Sequence, residues 1–224
     1  MLQTTRLGLV ALEADLQDFL NEARLDAARA FRVLRDLGRI HPAAELDFIV
    51  RAPGEGRLAR FGHPGIWSVS LEAKVTVLDV HGRLVAGERA ALAPIEEYID
   101  LFQRRPDLTA LVRFNSPHLD AWARSGWDFP FAHMPVVRSS LHQGLKVYDR
   151  GSTVAALEPA LSNNFAGVLH VQGGAVVAGA SVLQLAELIL QIEQAAEVEL
   201  LSDVRGGDAQ VAPRPVELRA LSWV

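Results

Sequence analysis

Arg105-Pro106-Asp107-Leu108-Thr109-Ala110-Leu111-Val112-Arg113-Phe114-Asn115-Ser116-Pro117-His118 is the most telling stretch of the chain. Arg-Pro-Asp is turn chemistry, because proline fixes its own φ and the aspartate side chain bonds nearby backbone. Leu108 to Arg113 is then an apolar run of strand length, which predicts a buried strand opening directly after the turn. Side chains alternate along a strand, so Arg113 and Asn115 share one face and leave two polar groups at the end of an otherwise apolar segment. His118 lies just beyond, at the start of a predicted helix reaching Ser125.

Upstream, Leu46 to Arg51 reads as a strand and Ala52-Pro53-Gly54-Glu55-Gly56 as a turn. Val75 to Asp79 and Arg83 to Ala86 form a predicted hairpin around His81-Gly82. Ile95, Tyr98, Ile99 and Phe102 mark one face of a short helix. The first 38 residues are helical in pattern. Ala27, Ala30, Phe31, Leu34 and Leu37 precede a C-terminal Gly38, while Leu9, Leu12, Leu16, Phe19 and Leu20 belong to a separate helix or to the same one, bent. Downstream, Val168 to Val171 and Ala175 to Ala178 are strands around Gln172-Gly173-Gly174. A helix begins at Ser181, where Ser181-Val182-Leu183-Gln184 makes a capping box, and runs to about Ser202 with Leu185, Ile189, Ile192 and Ala196 at core spacing. Helices and hairpin-like strands mixed along one chain predict a three-layer α/β/α sandwich with a mixed, mainly antiparallel central sheet.

The 224 residues suit a single domain spanning 1–224, with a helical extension over 1–25 and a tail over 208–224. Half of the residues are hydrophobic, enough for a large core. With no cysteine, disulfides, thiolate metal sites and cysteine nucleophiles are all excluded. A net charge of -5 gives no reason to expect nucleic acid as a partner. No run approaches the roughly 18 apolar residues of a membrane helix and no signal peptide opens the chain, so a cytoplasmic location is expected. Nucleophile elbow, phosphate loop and dinucleotide fingerprint are all missing.

Several segments, in order, resemble the class II aldolase/adducin family over about residues 26 to 205. Leu46-Asp47-Phe48-Ile49-Val50-Arg51 stands in the place of that family's Gly-Asn-x-Ser-x-Arg strand. Val77 to Glu88 resembles its Asp-x-x-Gly-x-x-x-x-Gly hairpin, and Arg105 to Val112 its Arg-Pro-Asp strand entry. Gly173-Gly174-Ala175-Val176-Val177-Ala178-Gly179 resembles its His-Gly-x-x-x-x-Gly strand, and Glu193-Gln194-Ala195-Ala196 lies in a helix similar to its closing helix. The resemblance implies a homo-tetramer or other homo-oligomer with the site between subunits, and allows for a paralogous subunit.

Catalytic members of the family hold a divalent metal, usually zinc, on His-x-His and a third histidine. Here the His-x-His positions read Arg113-Phe114-Asn115. The third falls at Gly173, or at Gln172 in the adjacent register, and the acid/base glutamate falls at Ala93 or Pro94. A guanidinium cannot ligate a cation and repels one, so no metal and no other cofactor is expected. The phosphate-binding elements are altered too, since Gly-Asn has become Leu46-Asp47.

Two readings follow. In the first, the chain is a metal-independent lyase acting on a small carboxylate or carbonyl compound. His118 and Asn115 are then the catalytic candidates, with Arg113, Asp47, Gly173 and His142 as substrate contacts. In the second, Arg113 and Asp47 form an ion pair that plugs the old site, and the protein has a structural, regulatory or partner-stabilising role. Trp127 to His133, rich in aromatics, reads as core or interface packing. His170 reads as a structural histidine. His41, His63 and His81 carry no special signal, and Asp149 and Glu158 show no partner.

Overall fold

The computed structural model describes residues 13–40, 46–54, 56–65, 68, 71–87, 96, 98–129, 145–148, 158–159, 167–170 and 174–204. Among the described residues, four helices, α1 (Ala14–Asp36), α2 (Ile99–Arg104), α3 (Pro117–Ala123) and α4 (Val182–Val204), accompany eight strands. The strands are β1 (Leu46–Arg51), β2 (Leu58–Gly62), β3 (Lys74–Leu78), β4 (Leu84–Ala86), β5 (Ala110–Phe114), β6 (Lys146–Tyr148), β7 (Gly167–His170) and β8 (Ala175–Gly179). They form one sheet in the order β4-β3-β2-β1-β5-β8-β7-β6. Every pairing is antiparallel except β6 with β7. The expected mixed, mainly antiparallel sheet is therefore present.

The sheet is buried on both sides. Phe48, Val50, Ala110, Val112 and Phe114 pack with α1, α3 and α4 in the larger core cluster. Ile49, Leu111, Val176 and Ala178 face the other way, into a smaller cluster with Tyr98, Leu101 and Phe102 of the α2 region. Double burial explains why β1 and β5 read as nearly continuous apolar runs, without polar alternation.

Local signals set most boundaries. Asp79 accepts the His81 and Arg83 N–H groups through Oδ1, which closes the β3–β4 hairpin. Those same N–H donors, led by Arg83, hold its carboxyl below the usual range. At the end of α1, the Gly38 N–H reaches Arg35 O and the Arg39 N–H reaches Leu34 O, a Schellman pair of bonds. Leu16, Leu20, Ala27, Phe31 and Leu34 are all buried along one continuous helix, while Leu9 and Leu12 lie outside the described residues. Ser181 Oγ accepts the Gln184 N–H at 3.3 Å as expected, while the Gln184 side chain reaches back one residue further, to the Ala180 N–H.

The Arg-Pro-Asp turn is pinned from two sides. Arg105 and Asp107 pair through two bonds of 2.9 and 2.6 Å. Arg51, at the end of β1, donates to the carbonyls of Phe102, Arg105 and Leu108 and lies over the Phe102 ring. It thus satisfies the last carbonyls of α2 and anchors the entry to β5. Glu158, expected to be isolated, instead pairs with Arg104.

Candidate functional site

Asp47 of β1, Arg60 of β2, Thr76 of β3 and Arg113 of β5 lie near one another on the sheet, away from Arg51. Antiparallel register puts Asp47 directly opposite Arg113, and Arg60 directly opposite Thr76. Asp47 alternates with Ile49, Arg113 with Leu111, Arg60 with Leu58 and Thr76 with Leu78, so all four belong to the α2 face. Asp47 is only 2% exposed. Its carboxylate pairs with the Arg60 guanidinium at 2.5 Å. Arg60 lies over Gly62, where a Cβ would stand 2.8 Å from the guanidinium atoms, so the glycine leaves this side chain its present path without a shift. Arg60 Nε and the Thr76 hydroxyl are buried without a hydrogen-bond partner.

His118, just after β5, is tied to the other helical layer. Its Nδ1 lies 2.8 Å from Glu193 Oε1 of α4. The same carboxylate accepts the His118 backbone N–H at 2.9 Å and the Leu119 N–H at 3.1 Å. Glu193 therefore caps α3 from a different helix. Ser116, at the N-cap position itself, makes no side-chain cap, and its hydroxyl is buried without a partner. Glu193 is fully buried, whereas the His118 side chain keeps 37% exposure. One turn along α4, Glu197 pairs with Arg39. That bond, with a smaller contribution from the charge of His118, holds Glu197 below the usual carboxylate range.

Asn115 bridges strand and helix. Its Nδ2 donates to Asp120 Oδ2 at 3.0 Å, and Asp120 Oδ1 accepts the Gly174 N–H at 2.6 Å. Gly174 has φ +91, and a Cβ there would lie 3.0 Å from Asn115 Nδ2. The first turn of α3, the end of β5 and the start of β8 are thus locked through one carboxylate.

The match with solved structures is strong in shape and weak in sequence. YgbL of Escherichia coli superposes with a TM-score of 0.64 at 19% identity, covering 81% of this chain and 89% of that one. L-fuculose 1-phosphate aldolase of Glaciozyma antarctica gives 0.66 at 15%, covering 87% and 78%. The L-fuculose-1-phosphate aldolase of Thermus thermophilus gives 0.64 at 16%, covering 84% and 99%. The chain has the class II aldolase fold. A curated relative, 5-deoxy-D-ribulose 1-phosphate aldolase of Bacillus thuringiensis serovar kurstaki, is 30% identical over 56 residues, a quarter of this chain and 26% of its own length. No protein-family model matches.

Within this class II aldolase fold, the donor set does not suit a divalent cation. A guanidinium and an amide, Arg113 and Asn115, close the end of β5, and two guanidinium-bearing residues lie next to the Asp47 carboxylate. Among the described residues, no three His, Cys, Asp or Glu side chains are grouped to hold a metal ion. Asp47, Arg113, Asn115 and His118 all lie at one end of the sheet, with Asp47 and Arg113 on the α2 face and His118 bound to α4. Gly173 and His142 lie outside the described residues. Of the aromatic stretch, Trp127 is exposed and Phe129 is buried edge-on against Trp122.

Sequence reasoning missed Arg60, Asp120 and Glu193. Arg60 belongs to a five-residue strand, Leu58–Gly62, that follows the predicted turn at 52–56 but is too short and too mixed to show a clear apolar pattern. Glu193 did carry a signal. It falls four residues after Ile189 on the apolar stripe of α4, and a carboxylate on such a stripe must find buried donors.

Proposed function

We propose that the protein is a metal-independent catalyst of the lyase type, acting on a small carboxylate or carbonyl compound. The Glu193–His118 contact carries this reading. A carboxylate accepting from Nδ1 makes that nitrogen the protonated one, so Nε2 bears the lone pair on the exposed side of the ring. A ring held in one tautomer, with a buried carboxylate behind it to stabilise the imidazolium, suits a general base. His118 would take a proton from a hydroxyl as a neighbouring carbon–carbon bond breaks, or return one to the carbanion formed. Arg113 would hold the substrate carboxylate with a two-pronged contact.

Several neighbours in fold are sugar-phosphate aldolases. Their phosphorylated substrates are not carried over, because Asp47 stands where a phosphate-binding strand would need a neutral or donating group. We further propose a homo-oligomer, tetrameric by analogy with the family, and a cytoplasmic protein. Among the described residues, no helix is long and apolar enough to cross a membrane.

A second reading, a ligand-binding or partner-stabilising protein without turnover, is favoured by the Arg60–Asp47 pair, which buries charge where a substrate group would otherwise lie. Turnover of short hydroxy- and oxo-carboxylates in the presence of EDTA separates the two. His118→Ala is expected to lower kcat by about 10²- to 10⁴-fold, and Arg113→Ala to raise KM. A His118→Ala enzyme as fast as the parent, or a chain that binds carboxylates yet converts none, would leave the second reading standing.

A further inference from the structure

The bonds around Asp120 fix which way the Asn115 amide points. A carboxylate offers acceptors only, so the group at 3.0 Å from Asp120 Oδ2 must be the amide NH₂. The other oxygen of Asp120 is occupied by the Gly174 N–H at 2.6 Å, which prevents the carboxylate from swinging away. Gly174 lies on the third side, where a Cβ would sit tightly, 3.0 Å from Asn115 Nδ2 and 3.3 Å from Phe114 O. Asn115 is thereby left with Oδ1, a pure acceptor, and among the described residues no donor reaches it.

We propose that Asn115, two residues beyond Arg113 and locked in this orientation by Asp120, selects carboxylates that bear a hydroxyl group over the corresponding oxo or unsubstituted acids. This rests on the reading of Arg113 as the carboxylate contact. A hydroxyl donates to Oδ1, an oxo group would set two acceptors against each other, and a methylene would leave Oδ1 desolvated. The expected discrimination is about tenfold, the size of one ordinary hydrogen bond.

Asp120→Asn supplies a test that goes beyond loss of function. The amide introduced there can still accept the Gly174 N–H through its oxygen, but its NH₂ then faces Asn115. Donating there, it would turn the Asn115 amide over and present NH₂ to the ligand. Dissociation constants are measured by NMR titration of the full chain with propionate, lactate and pyruvate, and with butyrate, 3-hydroxybutyrate and acetoacetate. In the parent, one hydroxy acid is expected to bind about tenfold more tightly than its oxo and plain partners. In Asp120→Asn the order of hydroxy and oxo acids reverses. Asn115→Ala, which does not depend on the Asp120 variant folding correctly, brings the hydroxy acid down to the level of the plain acid. Equal binding of all three members, or a parent preference for the oxo acid, overturns the hydroxyl selection while leaving carboxylate binding intact. If no carboxylate binds, or if Arg113→Ala binds them all as the parent does, the carboxylate reading itself fails and takes this inference with it.

Discussion

At the residue scale, the charged core of the site is a matter of compensation. Asp47 and Arg60 are both largely buried, so removing either takes away a principal partner of the other. Asp47→Ala is expected to cost about 3–5 kcal/mol in urea unfolding, and adding Arg60→Leu should restore much of the loss, because an apolar pair tolerates burial better than one orphaned charge. If the double variant is no more stable than Asp47→Ala, the pair is not what holds this end together. His63 belongs to the same scale. It looked like an ordinary turn histidine in sequence, yet its ring packs edge-on against Phe31 and its Nε2 is buried without a partner. Burial, helped by the charges of Arg35 and Lys74, pushes its pKa below the ordinary 6.5. The folded form therefore binds fewer protons than the unfolded chain, so stability should be full above pH 6.5 and fall as the pH drops through the folded-state value. Urea midpoints compared at neutral and mildly acidic pH should show this fall, and His63→Phe should flatten the His63 part of it.

At the element scale, α3 depends on a carboxylate that arrives from 75 residues further along the chain. Helix starts leave N–H groups unsatisfied, and a short helix has few internal bonds to compensate. Glu193→Ala strips two of these N–H groups and the His118 ring of their acceptor, and a cost of about 2–4 kcal/mol is expected from buried donors left unpaired. Glu193→Gln keeps an acceptor in place and should cost less. Denaturant midpoints of the two variants decide it, and equal losses would mean that negative charge, and not the acceptor geometry, is what α3 needs. The sequence marked α3 and α4 as helices correctly, since their cues are local. Their coupling was not legible, because which donors meet a carboxylate on an apolar stripe depends on what packs against it.

At the scale of the whole molecule, the chain has the class II aldolase fold and carries Asp47, Arg60 and Arg113 together on the α2 face of its sheet. A polar strip of arginines and one carboxylate favours anions over cations. Thermal unfolding is therefore expected to be unmoved by EDTA or by added zinc, and elemental analysis of the purified protein should find no stoichiometric metal. A chelator-induced drop in Tm would contradict that expectation. The order of elements around this site was readable from the motifs at Leu46–Arg51, Arg105–Val112 and Gly174–Gly179. Strand β2 was not, although its Arg60 and Gly62 shape the site.

By itself the sequence determined the helices and most of the strands, β2 and β6 excepted, because apolar periodicity, turn residues and caps act over a few neighbours. It also determined that positions 113 and 115 carry a guanidinium and an amide, since residue identity alone decides that. Only the tertiary structure decided who pairs with whom. In sequence, nothing tied Asp47 to Arg60, and the register of β1 with β2, together with the path over Gly62, made Arg60 one of its partners. His118 was a polar residue after a strand until the packing of α4 brought Glu193 beneath it. Pairings of this kind join residues far apart in sequence, and their energies exist only once burial has removed water from both partners.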